Sequence, residues 1–151
     1  MSCCKRGHRK RQGEIFVEPF NPRIVAFCCD KSGYVAADMA GKLGLSLPES
    51  LDIIRVPCAG RIDSLHMLRA LENGADGVLI FACHEENCQS LTGNLMVRAR
   101  MGYIHGIMEK IGLERERLEL CNVATNNGAK FVEAVQRKYD DLKRLGPSPV
   151  K

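Results

Sequence analysis

The chain contains no tryptophan and no apolar run near the roughly 18 residues needed to cross a bilayer, so nothing in it reads as a membrane span. No G-x-G-x-x-G follows its first apolar run and no G-x-x-x-x-G-K-[ST] occurs, which leaves a nucleotide without a recognisable phosphate cradle. A G-x-S-x-G nucleophile elbow is missing, which argues against one large hydrolase class. C-x-x-C is missing too, which weakens a thioredoxin-type dithiol. The N-terminus is charged where a signal peptide needs a long apolar segment, so the expected location is the cytoplasm.

Charge of both signs is present but unevenly placed. Residues 1–13 hold five cations (Lys5, Arg6, Arg9, Lys10 and Arg11) and no acid, which leaves 17 basic and 18 acidic side chains in the rest. The head is basic and the body neutral. With no interleaved aromatics and no helical apolar spacing, the head reads as a flexible arm over residues 1–21, and nucleic acid is not the expected partner. Residues 22–146 then form a single domain with its own core, followed by a short tail at 147–151.

Cysteine is abundant: Cys3, Cys4, Cys28, Cys29, Cys58, Cys83, Cys88 and Cys121. Four disulfides would suit a small secreted scaffold. This chain has length enough for a core and no sign of secretion, so its thiols point to metal or redox chemistry instead. Cys83 and Cys88 bracket His84, Glu85, Glu86 and Asn87, a polar loop that ends the short apolar run 78–82. The same C-x4-C interval occurs in one class of iron–sulfur loop, although two cysteines alone do not specify one.

The apolar runs 23–29, 51–57, 78–82 and 117–124 read as strands. Helical spacing follows each one. Helices are expected from Tyr34 toward Gly44, from Asp63 or Ser64 to Asn73, from Ser90 or Thr92 to Ile111, and over 129–145. The second helix is expected to turn Ile62, Leu65, Leu68 and Leu71 inward; the third carries Leu95, Ala99, Tyr103, Ile107 and Ile111 along one side. Four strand–helix alternations imply an α/β three-layer domain. Its four-stranded, mostly parallel sheet has helices on both faces, as in Rossmann-like or flavodoxin-like folds.

In a parallel sheet the loop after every strand lies along one edge. Cys28 and Cys29 end the first strand, Cys58 follows the second, and Cys83 and Cys88 bracket the loop after the third. Five thiols therefore meet at one rim. Neighbouring strand residues face opposite ways, so one of Cys28 and Cys29 reaches the site; Cys29 is nearer the turn, and Cys28 is its substitute. Cys29, Cys58, Cys83 and Cys88 make four ligands, enough for Zn²⁺ or an iron–sulfur cluster. Three functions fit: an electron carrier, a zinc-stabilised interaction module, or a thiol–disulfide redox protein. Cys121, inside the fourth strand, reads as core, and His84, Arg61 and Asp63 as polar residues of the rim or surface.

The sequence resembles one family through Phe27-Cys28-Cys29 with Ser32-Gly33-Tyr34, Ile54-Arg55-Val56-Pro57-Cys58-Ala59-Gly60-Arg61-Ile62-Asp63, Ala82-Cys83-His84 through Cys88, and Thr92-Gly93-Asn94. These segments look like the delta subunit of methyl-viologen-reducing hydrogenase, in order, over residues 22–145. The resemblance implies a 2Fe-2S protein whose cluster is held by Cys29, Cys58, Cys83 and Cys88. It would relay electrons between a hydrogenase, formate dehydrogenase or other oxidoreductase and a heterodisulfide-reductase-A-like flavoprotein, in an anaerobic complex that can bifurcate electrons. Many members carry a further cysteine where this chain has Ser32. The serine form resembles the quinone-interacting and aromatic-degradation branches more than the hydrogenase branch.

Overall fold

The computed structural model describes residues 19–150. Residues 1–18 of the expected arm, with Cys3 and Cys4, lie outside the described residues. Strand and helix alternate as β1 (Ile24–Cys29), α1 (Gly33–Lys42), β2 (Leu51–Val56), α2 (Ser64–Glu72), β3 (Gly77–Ala82), α3 (Gly93–Lys110), β4 (Leu118–Asn122) and α4 (Gly128–Leu145). The sheet order is β2-β1-β3-β4 and every pairing is parallel.

The two central strands are buried along their whole length, as their unbroken apolar runs require. Their side chains alternate between two cores. Val25, Phe27 and Cys29 of β1 and Val78, Ile80 and Ala82 of β3 face α2 and α3. Ile24, Ala26 and Cys28, with Leu79 and Phe81, face α1 and α4, where the Phe81 and Phe131 rings lie 4.3 Å apart. The edge strand β2 is mostly exposed, and Arg55 and Asp52 on it are ion-paired to Asp30 and Arg23.

On α3 the buried face differs from the expected stripe, and on α2 it differs at one position. In α3 the core takes Val97, Met101, Ile104 and Met108, with Ile107 of the expected row partly buried against it, while Leu95, Ala99, Tyr103 (68% exposed) and Ile111 (60% exposed) face outward. Around α2 the expected Ile62 and Leu71 are in the core with Leu68 packed against it, but Met67 joins them and Leu65 is exposed. The reason is geometric. A strict i+4 row advances about 400° per step and a strict i+3 row about 300°, so each winds off its face, whereas alternating steps of 4, 3 and 4 hold one. The α2 start is capped by Asp63, whose carboxylate accepts from Ser64 N–H at 2.6 Å, while His66 Nδ1 accepts from Asp63 N–H at 3.0 Å.

The end opposite the thiols is latched by buried charge. Arg117, fully buried, donates to the carbonyls of Asp76 (3.0 Å) and Gly146 (3.1 Å) and to the Glu114 carboxylate (2.7 Å). The Asp76 carboxylate accepts from the N–H groups of Arg23 and Ser148, so the residues after α4 are tied to the sheet. Paired in this way, neither charge is left uncompensated.

Candidate metal centre

β1 and β3 are neighbours, yet the chain leaves β1 through α1 toward β2 and leaves β3 through α3 toward β4. The loops diverge and open a crevice at the carboxyl ends of the two strands, the place where folds of this order bind their ligands. Cys29 ends β1 and Cys83 follows β3. Their Sγ atoms lie 3.8 Å apart in a buried contact at that crevice. Cys28, one residue earlier, points to the other face among the α1 and α4 side chains, 3.8 Å from the Ala26 carbonyl. Burial, with Cys29 alongside, pushes its thiol up to about 12.

A second pair forms on the α3 side. Cys58 opens the short turn Ala59–Arg61, and its Sγ accepts from Gly60 N–H at 3.4 Å. Cys88 follows the turn Glu85–Asn87, on the same side of the rim and near enough to Cys58 for that thiol to favour its anion. Burial works against ionisation of Cys88, but the backbone N–H groups of Asn94, Ser90 and Gly93, helped by Cys58, more than offset it, and its thiol sits below the ordinary value. The Gly93 and Asn94 N–H groups belong to the start of α3, where N–H groups without helical partners favour negative charge, and Ser90 lies just before it. At Cys83 burial prevails and holds the thiol above its ordinary value; the Ser32 hydroxyl lowers it, and Cys29 and Cys88 add to the rise. Because Cys88 acts on Cys83, the two pairs share one electrostatic environment.

The loops that carry the pairs are fixed by contacts that no motif advertised. Gly93 packs so closely that a Cβ there would stand 2.3 Å from Cys58 Sγ, and one on Gly60 would stand 2.7 Å from Gly93 Cα. Arg100 of α3 donates to the carbonyls of Gly60 (2.6 Å) and Ile62 (2.8 Å), stapling the Cys58 turn to the helix. The Cys83 carbonyl accepts from the side chains of Asn122 (2.6 Å) and Asn94 (3.3 Å). Gly93 and Asn94 stand in a quoted motif, but no pattern of spacing or composition assigned them a task; Asn122 has no sequence signal.

Cys58 is half-buried and lines an open cleft of about 430 Å³ with Arg61, Ser90, Met96 and Arg100, so the rim is reachable from solvent. His84 and Arg61 are exposed, and Asp63 caps α2. Cys121 is partly buried in β4 against the α1 and α4 core, and burial, then Glu119, raises its thiol to about 11. Among the described residues, no three His, Cys, Asp or Glu side chains meet closely enough to hold a single metal ion. The rim presents two thiol pairs, Cys29 with Cys83 and Cys58 with Cys88.

No helix among the described residues is long and apolar enough to cross a membrane. A family model described as methyl-viologen-reducing hydrogenase, delta subunit, matches residues 24–146. The chain is 39% identical over 130 residues to the D-type vhu iron-sulfur subunit of the F420-non-reducing hydrogenase of Methanococcus maripaludis, covering 86% of this chain and 97% of that protein. It is 37% identical over 130 residues to the D-type iron-sulfur subunit of the F420-non-reducing hydrogenase of Archaeoglobus profundus, covering 86% and 95%. It is also 32% identical over 126 residues to the A-type subunit of the ferredoxin:CoB-CoM heterodisulfide reductase of Methanosarcina mazei, there covering 83% of this chain but 16% of the longer protein. The chain therefore belongs to the methyl-viologen-reducing hydrogenase delta subunit family, as its motifs suggested.

Proposed function

We propose that the chain is an electron-transfer subunit whose 2Fe-2S cluster is held by Cys29, Cys58, Cys83 and Cys88. It relays electrons between an oxidoreductase, such as a hydrogenase or formate dehydrogenase, and a heterodisulfide-reductase-A-like flavoprotein. The setting is a cytoplasmic, electron-bifurcating complex of an anaerobe.

The observation that carries this reading is the placement of four thiols from three strand ends at one crevice as two pairs. A structural zinc ion needs four donors around one point, whereas two iron atoms can take two protein sulfurs each, so the pairs suit a binuclear cluster better. The donor set fits in charge too, since the N–H groups at the start of α3 already favour the anion at Cys88. When bound, the cluster would supply a one-electron couple. The chain's own residues hold the sulfurs and set the dipoles around them, and they keep the Cys29 and Cys83 end dry while Cys58 stays near solvent.

The partner side rests on two supports. Relatives are named as hydrogenase subunits, and one stretch of an A-type heterodisulfide reductase polypeptide matches this chain, so there an equivalent domain is covalently joined to that enzyme. Leu91, Leu95, Met96, Tyr103 and Ile111 are exposed along and beside α3, apolar surface that suits docking.

Iron and acid-labile sulfide assays on anaerobically purified protein, with visible absorbance and spin resonance after reduction, test the proposal. The expected result is two irons and two sulfides per chain; protein free of both refutes it. A second reading is favoured by the lowered Cys88 thiol beside Cys58, which suits a dithiol that oxidises to a disulfide. It expects colourless protein that loses two thiols on oxidation.

A further inference from the structure

Ser32 stands at the N-cap of α1, where a serine hydroxyl ordinarily turns back to accept from the first helical N–H groups. Here it makes no such bond. It is 3% exposed, and its Oγ has no hydrogen-bond partner among the described residues. An orphan hydroxyl of this kind costs about 1–3 kcal/mol, and native folds seldom leave one.

Backbone geometry determines where the hydroxyl goes. Ser32 N–H donates to the Cys29 carbonyl at 3.2 Å and the Ser32 carbonyl accepts from Ala36 N–H at 2.9 Å, closing a turn over the end of β1. Gly33 is wedged behind it, since a Cβ there would stand 2.5 Å from Phe81 Cβ. The turn cannot swing away from the crevice. The buried Oγ is thus held over the end of β1, at the crevice where the Cys29 and Cys83 sulfurs lie 3.8 Å apart, with its proton uncommitted.

Resting on the cluster reading above, we infer that the Ser32 hydroxyl is a positioning and tuning group, held to donate a hydrogen bond to the Cys83 sulfur when that sulfur binds iron. A neutral thiol is a weak acceptor, which is why the hydroxyl is left unsatisfied beside it. A metal-bound thiolate is a strong one, and the bond to it is charge-assisted. Hydrogen bonds to ligand sulfur stabilise the more negative, reduced cluster and raise its potential. The α1 start gives up its side-chain cap to keep that donor.

Ser32→Ala and Ser32→Thr separate this role from a structural one. For Ser32→Ala the metal-free protein melts at or above the wild-type temperature, iron and sulfide content is retained, and the midpoint potential shifts negative, with a change in the sulfur-to-iron absorption bands. Ser32→Thr, which keeps the hydroxyl, returns the potential toward wild type. An unchanged potential in Ser32→Ala overturns the inference, as does Ser32→Thr melting normally with the alanine variant's potential. A clear drop in the metal-free melting point of Ser32→Ala overturns it by showing that the hydroxyl is already bonded. Loss of iron with normal melting overturns it in favour of direct ligation by Ser32. Wild-type protein without iron and sulfide removes the cluster reading itself, which is a separate failure.

Discussion

Gly93→Ala tests the packing that brings Cys58 to the rim. The added Cβ would stand 2.3 Å from Cys58 Sγ and 3.4 Å from Gly60 N. Unstrained contacts of heavy atoms fall near 3.5–4.0 Å, so a separation larger by about 1.2 Å or more is needed. Two responses are open. If the backbones part, the Arg100 staples to Gly60 and Ile62 are strained, and overpacking costs about 1–3 kcal/mol. For a domain of this size that lowers the melting temperature by roughly 4–12 °C. If Cys58 instead rotates about its single side-chain torsion, stability is kept but its sulfur leaves Cys88, and iron loading falls. The matched control is Gly102→Ala in the same helix, where a Cβ meets nothing within 4 Å; it should raise stability by about 0.5–1 kcal/mol. Calorimetry of the metal-free protein and iron content of the loaded protein read both responses. A Gly93→Ala protein with wild-type melting and wild-type iron content would refute the close approach and the site built on it.

Cys29→Ser should lose iron, whereas Cys28→Ala, which trims the α1 and α4 core, should lose stability and keep iron; iron lost in Cys28→Ala and kept in Cys29→Ser would make Cys28 the ligand. Glu119→Gln strips the carboxylate from Lys138, which is 2% exposed, and leaves it the Glu116 carbonyl. The expected loss is roughly 3 kcal/mol, the low end for breaking a buried pair because Glu119 is 29% exposed, and it is read from denaturant midpoints. The same pair sets a pH dependence. Burial raises the Glu119 carboxyl, but Lys138 and Arg137 hold it below its ordinary 4.5, so its contribution is full above that value and is lost as pH falls through the lowered one. Wild type should therefore lose stability below pH 4.5 more steeply than Glu119→Gln, and parallel curves would count against the pair. Tyr103→Glu should leave melting and iron content unchanged and weaken capture of a heterodisulfide-reductase-A-like flavoprotein by at least roughly tenfold; undiminished capture would move docking off α3.

The sheet was legible because β1 and β3 are buried on both faces and show it as unbroken apolar runs. Period-two alternation then places adjacent cysteines on opposite faces, and the structure sends Cys28 to one core and Cys29 to the other. The α3 face was not legible in the same way. Two apolar rows run along that helix, and only the tertiary contacts decide which is covered. The regular i+4 row winds around the cylinder, so a flat sheet buries the less regular row through Met101 and Ile104. Leu95, Tyr103 and Ile111 of the uncovered row belong to the apolar surface for which a partner is proposed.

At the rim the limit of sequence reading is of another kind. Strand order cannot be read locally, yet the β2-β1-β3-β4 order is what makes β1 and β3 neighbours and sets Cys29 against Cys83. With β2 between them, the same cysteines would stand about 10 Å apart, two strand spacings, and no thiol contact could form. The pairing of Cys58 with Cys88 depends on different physics, a backbone approach between Gly60 and Gly93 that only the absence of two side chains permits. Spacing locates thiols along a chain. Topology makes the first pair and two missing Cβ atoms make the second, which is why substitution at Gly93 should disturb Cys58 while leaving the contact between Cys29 and Cys83 intact.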